Sequence, residues 1–163
     1  MKKIGLIGGI GPESTIMYYR ELVYGVQEQL NKPVFPPMVI ESLSVFQVLD
    51  YCAKRDYEGL IQYLLQGIEH LAAAGADYGA LTGITPHVVF DDLAARSPIP
   101  LVSMVETACE EAEESGYKKV GLLGTLPTME GNFVQRAFAK RGIGIFTPSE
   151  NEKLYIADKI KTE

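Results

Sequence analysis

Apolar residues along this chain follow two rhythms. Short continuous runs, Ile4-Gly5-Leu6-Ile7 and Tyr78-Gly79-Ala80-Leu81, read as buried strands, while stretches with apolar residues three or four apart read as helices. The clearest helix spans 57–74, where Leu60, Leu64, Ile68 and Leu71 form one stripe and Gly75 supplies the stop. Strands are expected on either side of it, from Pro37 to Glu41 and from Asp77 to Leu81. The opening run breaks at Gly8-Gly9-Ile10-Gly11, and Pro12 takes the first position of a following helix. Alternating strands and helices predict a parallel sheet.

The opening pattern recurs. Lys2-Lys3-Ile4-Gly5-Leu6-Ile7-Gly8 reappears as Lys118-Lys119-Val120-Gly121-Leu122-Leu123-Gly124, and Arg20 and Arg136 keep the same spacing on the helices that follow. After the second copy come a helix from about Met129 to Lys140, a short strand near Ile143 to Phe146, and a last helix. That helix opens on Ser149 and Glu152 at capping-box spacing, with Leu154, Ile156 and Ile160 as its apolar positions. The expected architecture is a parallel-sheet, doubly wound α/β domain over 1–100, followed by the start of a second, pseudo-symmetric α/β domain over 101–163. Full duplication would put a counterpart of the Thr82 loop near position 198. The second domain is therefore expected to be truncated, with a natural one-and-a-half-domain protein as the alternative.

Composition narrows the function classes. The 163 residues carry a net charge of −6 without long blocks of either sign, so nucleic acid is not an expected partner. No apolar stretch approaches the roughly 20 residues of a spanning helix, and the opening run ends in Gly-Pro-Glu without a cleavage site, so no membrane span or signal peptide is expected. Two cysteines, Cys52 and Cys109, make neither a disulfide framework nor a metal set. They read as small buried hydrophobes in a reduced, cytoplasmic protein.

Candidate chemistry gathers where strands end, because ligands in open α/β sheets sit at the carboxyl ends of strands. In the first turn, Gly9, Ile10 and Ser14 stand at a helix start whose amides and dipole suit a carboxylate or phosphate. It is no dinucleotide fingerprint, since Ser14 stands where the third glycine belongs, and no Gly-Lys-Ser/Thr marks a P-loop; a glycine needed only for turn geometry is the alternative. After the third expected strand, Thr85 and Pro86 read as an N-cap and first helical residue, with the Thr85 hydroxyl a carboxylate contact. His87 reads as a neutral hydrogen-bonding residue, because a helix start disfavours imidazolium. In the second copy Thr125 is the better ligand contact and Thr128 a helix cap. Glu41-Ser42 offers either a polar contact or simple solvent exposure.

The set Ile4-Gly-Leu-Ile-Gly-Gly with Pro12-Glu13-Ser14-Thr15, then Thr85-Pro86-His87, then Leu122-Leu123-Gly124-Thr125 with Thr128-Met129, resembles the aspartate/glutamate racemase family. The resemblance implies two α/β domains facing across a cleft, no cofactor and no metal, and a small dicarboxylic amino acid as substrate. Two acid/base groups, one from each domain, would move the α-proton between opposite faces of one carbon. The family's first acid/base position, in a Cys-Asn-Thr type motif, falls on Gly83, with Ile84 for the asparagine and Thr85 for the threonine. Thr82 is the neighbouring hydroxyl and a weak catalytic candidate. Substrate binding would fall to Gly9, Ile10, Ser14, Thr85, His87, Thr125 and Thr128. The second acid/base residue, in a Gly-Cys-Thr-Glu type motif, would lie beyond Glu163. A glycine at 83 also admits a single-base lyase or decarboxylase-like relative, a catalytically silent dicarboxylate-binding protein, or, on the glycine turn alone, a nucleotide-binding domain. A homodimer is expected, because an incomplete sheet leaves apolar surface.

Overall fold

The computed structural model describes residues 1–162, with side chains described for residues 1–160. The chain divides into two compact units, Met1–Ser103 and Met104 onward.

The first unit is built on a four-stranded parallel sheet in the order β2-β1-β3-β4, with β1 at Ile4–Gly8, β2 at Met38–Ser42, β3 at Tyr78–Leu81 and β4 at Leu101–Val102. α1 (Pro12–Leu30) connects β1 to β2; α2 (Val45–Lys54) and α3 (Tyr57–Ala73) connect β2 to β3. A 3-10 turn, Thr85–Val89, and α4 (Phe90–Arg96) lead to β4. The predicted stripe on α3 holds: Leu60, Leu64, Ile68 and Leu71 are each 0% exposed and share a core with Ile7 and Leu81 of the sheet. Burying each contributes roughly 1.5–3 kcal/mol. Gly67 lets α3 close on the sheet, since a Cβ there would lie 3.0 Å from Ile7 Cδ1. Asp56 caps α3 through its side chain to the Gly59 amide (2.9 Å), and Gly75 ends it at φ 82°.

α1 begins over the opposite face. There the bare α-carbon of Gly8 lies against Thr15 and Ile40, which a Cβ would meet at 2.7 and 3.0 Å. Helices therefore cover both faces, as a doubly wound sheet requires. Along α1 only Val23 is buried, while Ile16, Met17 and Tyr24 are exposed.

The second unit contains α5 (Met104–Glu114), β5 (Lys119–Gly121), α6 (Leu126–Glu130), α7 (Phe133–Lys140), β6 (Gly144–Phe146) and α8 (Glu150–Thr162). β5 and β6 pair in parallel. The single helix expected from Met129 to Lys140 is two, separated at Gly131-Asn132, where Gly131 has β-region dihedrals. Arg141 ties α7 to α5 by reaching Glu113 at 2.8 Å and Glu106 and Glu110 at 3.3 Å, which raises its pKa. The Ser149–Glu152 capping pair forms, with the Ser149 amide and hydroxyl donating to Glu152 Oε2 at 2.9 and 2.6 Å.

The apolar face of α8 departs from expectation. Leu154 and Ile160 are 59% and 47% exposed, whereas Lys153 and Ala157 are buried at 9% and 6%. The small Ala157 admits close packing, and the Lys153 stem lies inward while its Nζ reaches Glu150 at 2.6 Å. Cys52 and Cys109 are buried, and burial raises both thiol pKa values. Among the described residues no helix is long and apolar enough to cross a membrane, and no group of His, Cys, Asp or Glu is placed to hold a metal ion.

Candidate functional site

β1 is flanked by β2 on one side and β3 on the other, and the chain crosses to opposite sides of β1 in making them. The carboxyl ends of β1 and β3 therefore form a topological switch point, the crevice where open α/β sheets bind ligands. Two turns meet there, Gly9–Gly11 after β1 and Thr82–Ile84 after β3.

The first turn is held by hydroxyls. Thr15 Oγ1 accepts from the Gly9 amide (3.0 Å) and donates to the Gly11 carbonyl (2.9 Å), and Ser14 Oγ donates to the Gly11 and Thr82 carbonyls at 2.8 and 2.9 Å. Gly9 is glycine for the turn itself, since at φ 76° its α-carbon abuts the Leu43 backbone and a Cβ would lie 2.6 Å from Ser42 Oγ. Ile10 sends its side chain into the core, 4% exposed, so only its backbone can meet a ligand. Helix α1 starts at Pro12 without a side-chain cap, and its N-terminal dipole end carries partial positive charge.

Thr82, the weak acid/base candidate, is a strut. It is 1% exposed, its Oγ1 lies 3.1 Å from the Ile7 carbonyl and 2.9 Å from Thr15 Oγ1, and its amide donates to Ile7 at 3.0 Å. A hydroxyl so engaged joins the two strand ends rather than presenting a proton to a substrate. Thr15, which sequence reasoning left out of the candidate residues, is the hub of this network; a threonine three residues after Pro12 was the available signal.

Thr85 lies inside the 3-10 turn as its first residue, with Ile84, not Thr85, at the N-cap position. Pro86 is the second residue of this turn, and the His87 amide donates to the Ile84 carbonyl at 3.0 Å, an i→i−3 bond of 3-10 type. Thr85 and His87 are buried at 5% and 4%. His87 Nδ1 lies 3.1 Å from the Gly83 carbonyl, which can only accept, so Nδ1 carries the proton and Nε2 keeps its lone pair. The ring stacks on Phe90 with centroids 4.9 Å apart and planes 4° from parallel. Burial is the dominant influence and pushes the His87 pKa down to about 4, so the expected neutral imidazole is what the surroundings favour. Glu41, at the end of β2, is engaged with His70 Nδ1 at 2.9 Å.

Thr125 and Thr128 belong to the second unit. Thr125 occupies the N-cap position of α6 and Thr128, expected to cap, lies within the helix at 0% exposed; their hydroxyls are 3.1 Å apart. Here too a proline, Pro127, follows the threonine at the helix start.

A family model described as Asp/Glu/hydantoin racemase matches residues 7–163. The chain is 26% identical over 147 residues to the broad specificity amino-acid racemase RacX of Bacillus subtilis, covering 85% of this chain and 61% of that protein. It thus spans less than two thirds of that relative's length. Among solved structures, an aspartate racemase homologue from Pyrococcus horikoshii is 34% identical with a TM-score of 0.82, covering 100% of this chain and 71% of its own. The Picrophilus torridus aspartate racemase, 19% identical with a TM-score of 0.77 over 95% of this chain and 66% of its own, shares the fold. By these matches, which run through both units, the chain belongs to the Asp/Glu/hydantoin racemase family.

Proposed function

We propose that this chain binds a small dicarboxylic amino acid, aspartate or glutamate, and serves an isomerase that moves the α-proton without a cofactor. The observation that carries this reading is the pairing of two polar turns at the β1/β3 switch point within a racemase-family fold. The uncapped start of α1 attracts a carboxylate, and the Thr85 turn with neutral His87 supplies hydrogen-bonding groups that keep their form at physiological pH. We place the protein in the cytoplasm as a homodimer; exposed Ile16, Met17 and Tyr24 on α1 favour association.

Gly83 favours a second reading, single-base chemistry of the lyase or decarboxylase kind, because glycine has no proton to give. Incubating the protein with L-aspartate and L-glutamate in D2O separates the two. Racemisation with deuterium at the α-carbon supports the first, and deuterium with retained configuration supports the second. Thermal stabilisation by a dicarboxylate without any exchange would leave only a silent binding protein, and the absence of both exchange and stabilisation would refute the substrate class.

A further inference from the structure

The turn after β1 and the position of the missing first acid/base residue touch. Gly83 does not have a positive φ, so backbone freedom does not explain it. Space does. A Cβ at 83 would be driven into the Ile10 carbonyl oxygen and would approach Ile10 Cγ2 at 3.0 Å. Backbone cannot swing aside as a flexible side chain does, and this backbone is pinned on every side. The Ile10 side chain is locked in the core, Gly9 is seated on Leu43, and Gly11 is held by the Ser14 and Thr15 hydroxyls. Ser14 also bonds the Thr82 carbonyl, and Thr15 bonds the Thr82 hydroxyl, so the turn is fastened to the residue directly before 83.

We propose that the Gly9–Gly11 turn is seated on position 83 so that it fills the place where a proton carrier would begin. On that face this unit offers a substrate a wall and hydrogen bonds but no acid/base side chain at position 83, which favours the single-base reading above over racemisation. The inference takes its substrate from the reading above, while the closure of position 83 stands on packing alone.

Gly83→Ala and Gly83→Cys test it, with Gly25→Ala, where a Cβ meets nothing within 4 Å, as a control for adding a methyl group. Overpacking predicts that Gly83→Ala lowers Tm by about 5 °C or more while the control does not. In folded Gly83→Cys, maleimide labelling followed by mass spectrometry shows no more modification than in the parent, and α-carbon exchange in D2O gains no racemisation. A Gly83→Ala Tm within about 1 °C of the parent, or ready labelling of the thiol introduced by Gly83→Cys, overturns the proposal. Should Gly83→Cys fail to fold, Gly83→Ala alone decides. Absence of both exchange and thermal stabilisation by a dicarboxylate in the parent protein would refute the substrate reading without touching the packing claim, and the alanine result does the converse.

Discussion

Acidification from pH 8 to pH 5 turns the burial of His87 into a measurable instability. The unfolded imidazole takes a proton near 6.5, the folded one only near about 4. Above pH 6.5 both states are neutral and stability is at its full value. As pH falls below 6.5 the unfolded state binds a proton that the folded state refuses, so stability drops until pH passes about 4, where both are charged. The shift corresponds to about 3 kcal/mol in all, of which about 2 kcal/mol is lost by pH 5. For a unit of this size that is a fall of ~10 °C in Tm. His87→Asn isolates the effect, because its amide nitrogen can still donate to the Gly83 carbonyl while carrying no titratable proton. The variant loses the stack on Phe90 and is less stable at pH 8, yet its decline between pH 8 and pH 5 should be shallower than the parent's by about 2 kcal/mol. Urea unfolding at the two pH values measures both declines, and carboxylate contributions cancel in the comparison. Parallel declines, agreeing within about 0.5 kcal/mol, would refute the account of a buried neutral imidazole.

Two further outcomes follow from the same geometry. Thr82→Val keeps the shape but strips the hydroxyl from Thr15 and Ile7, and should cost about 1–3 kcal/mol in chemical denaturation; Thr82→Ser, which keeps the hydroxyl, should cost less, and equal losses would remove the strut role. Gly25→Ala, mid-helix with open space around it, should stabilise the chain by about 0.5–1 kcal/mol; an unchanged or lower Tm would mean that α1 is not helical there in solution.

The strands and helices with long, regular patterns were legible: β1, β2 and β3 fall where the apolar runs put them, and α3 ends at the glycine that announced its end. β4 was not, because Leu101-Val102 is too short to show any period between Pro100 and Ser103. α2 and α5 carry apolar positions at helical spacing, Val48 with Cys52 and Val105 with Cys109 with Ala112, but the cysteines and alanine make a weak stripe. The buried face of α8 was not legible because it is carried by Lys153 and Ala157, and a lysine stem buried with its charged head kept outside gives no apolar signal in a hydrophobic pattern. At the site, residue types were legible and roles were not. Ser14 and Thr82 have the chemistry of ligand contacts, and only coordinates reveal that each spends its hydroxyl on the opposite turn's backbone or on the strand beneath.

The position of β1 at the middle of its sheet also sets a timetable. Ile4 pairs with Met38 and with Tyr78, so the strand is made before either neighbour and waits for the second until 74 more residues have been joined. At synthesis rates of about 5–20 residues per second, the wait is roughly 4–15 s. Until β3 is made, five residues that end buried have at most β2 to pair with and one edge of β1 uncovered. For a nascent chain, the same centrality that places β1 beside the ligand crevice makes it the segment longest in need of a chaperone's cover.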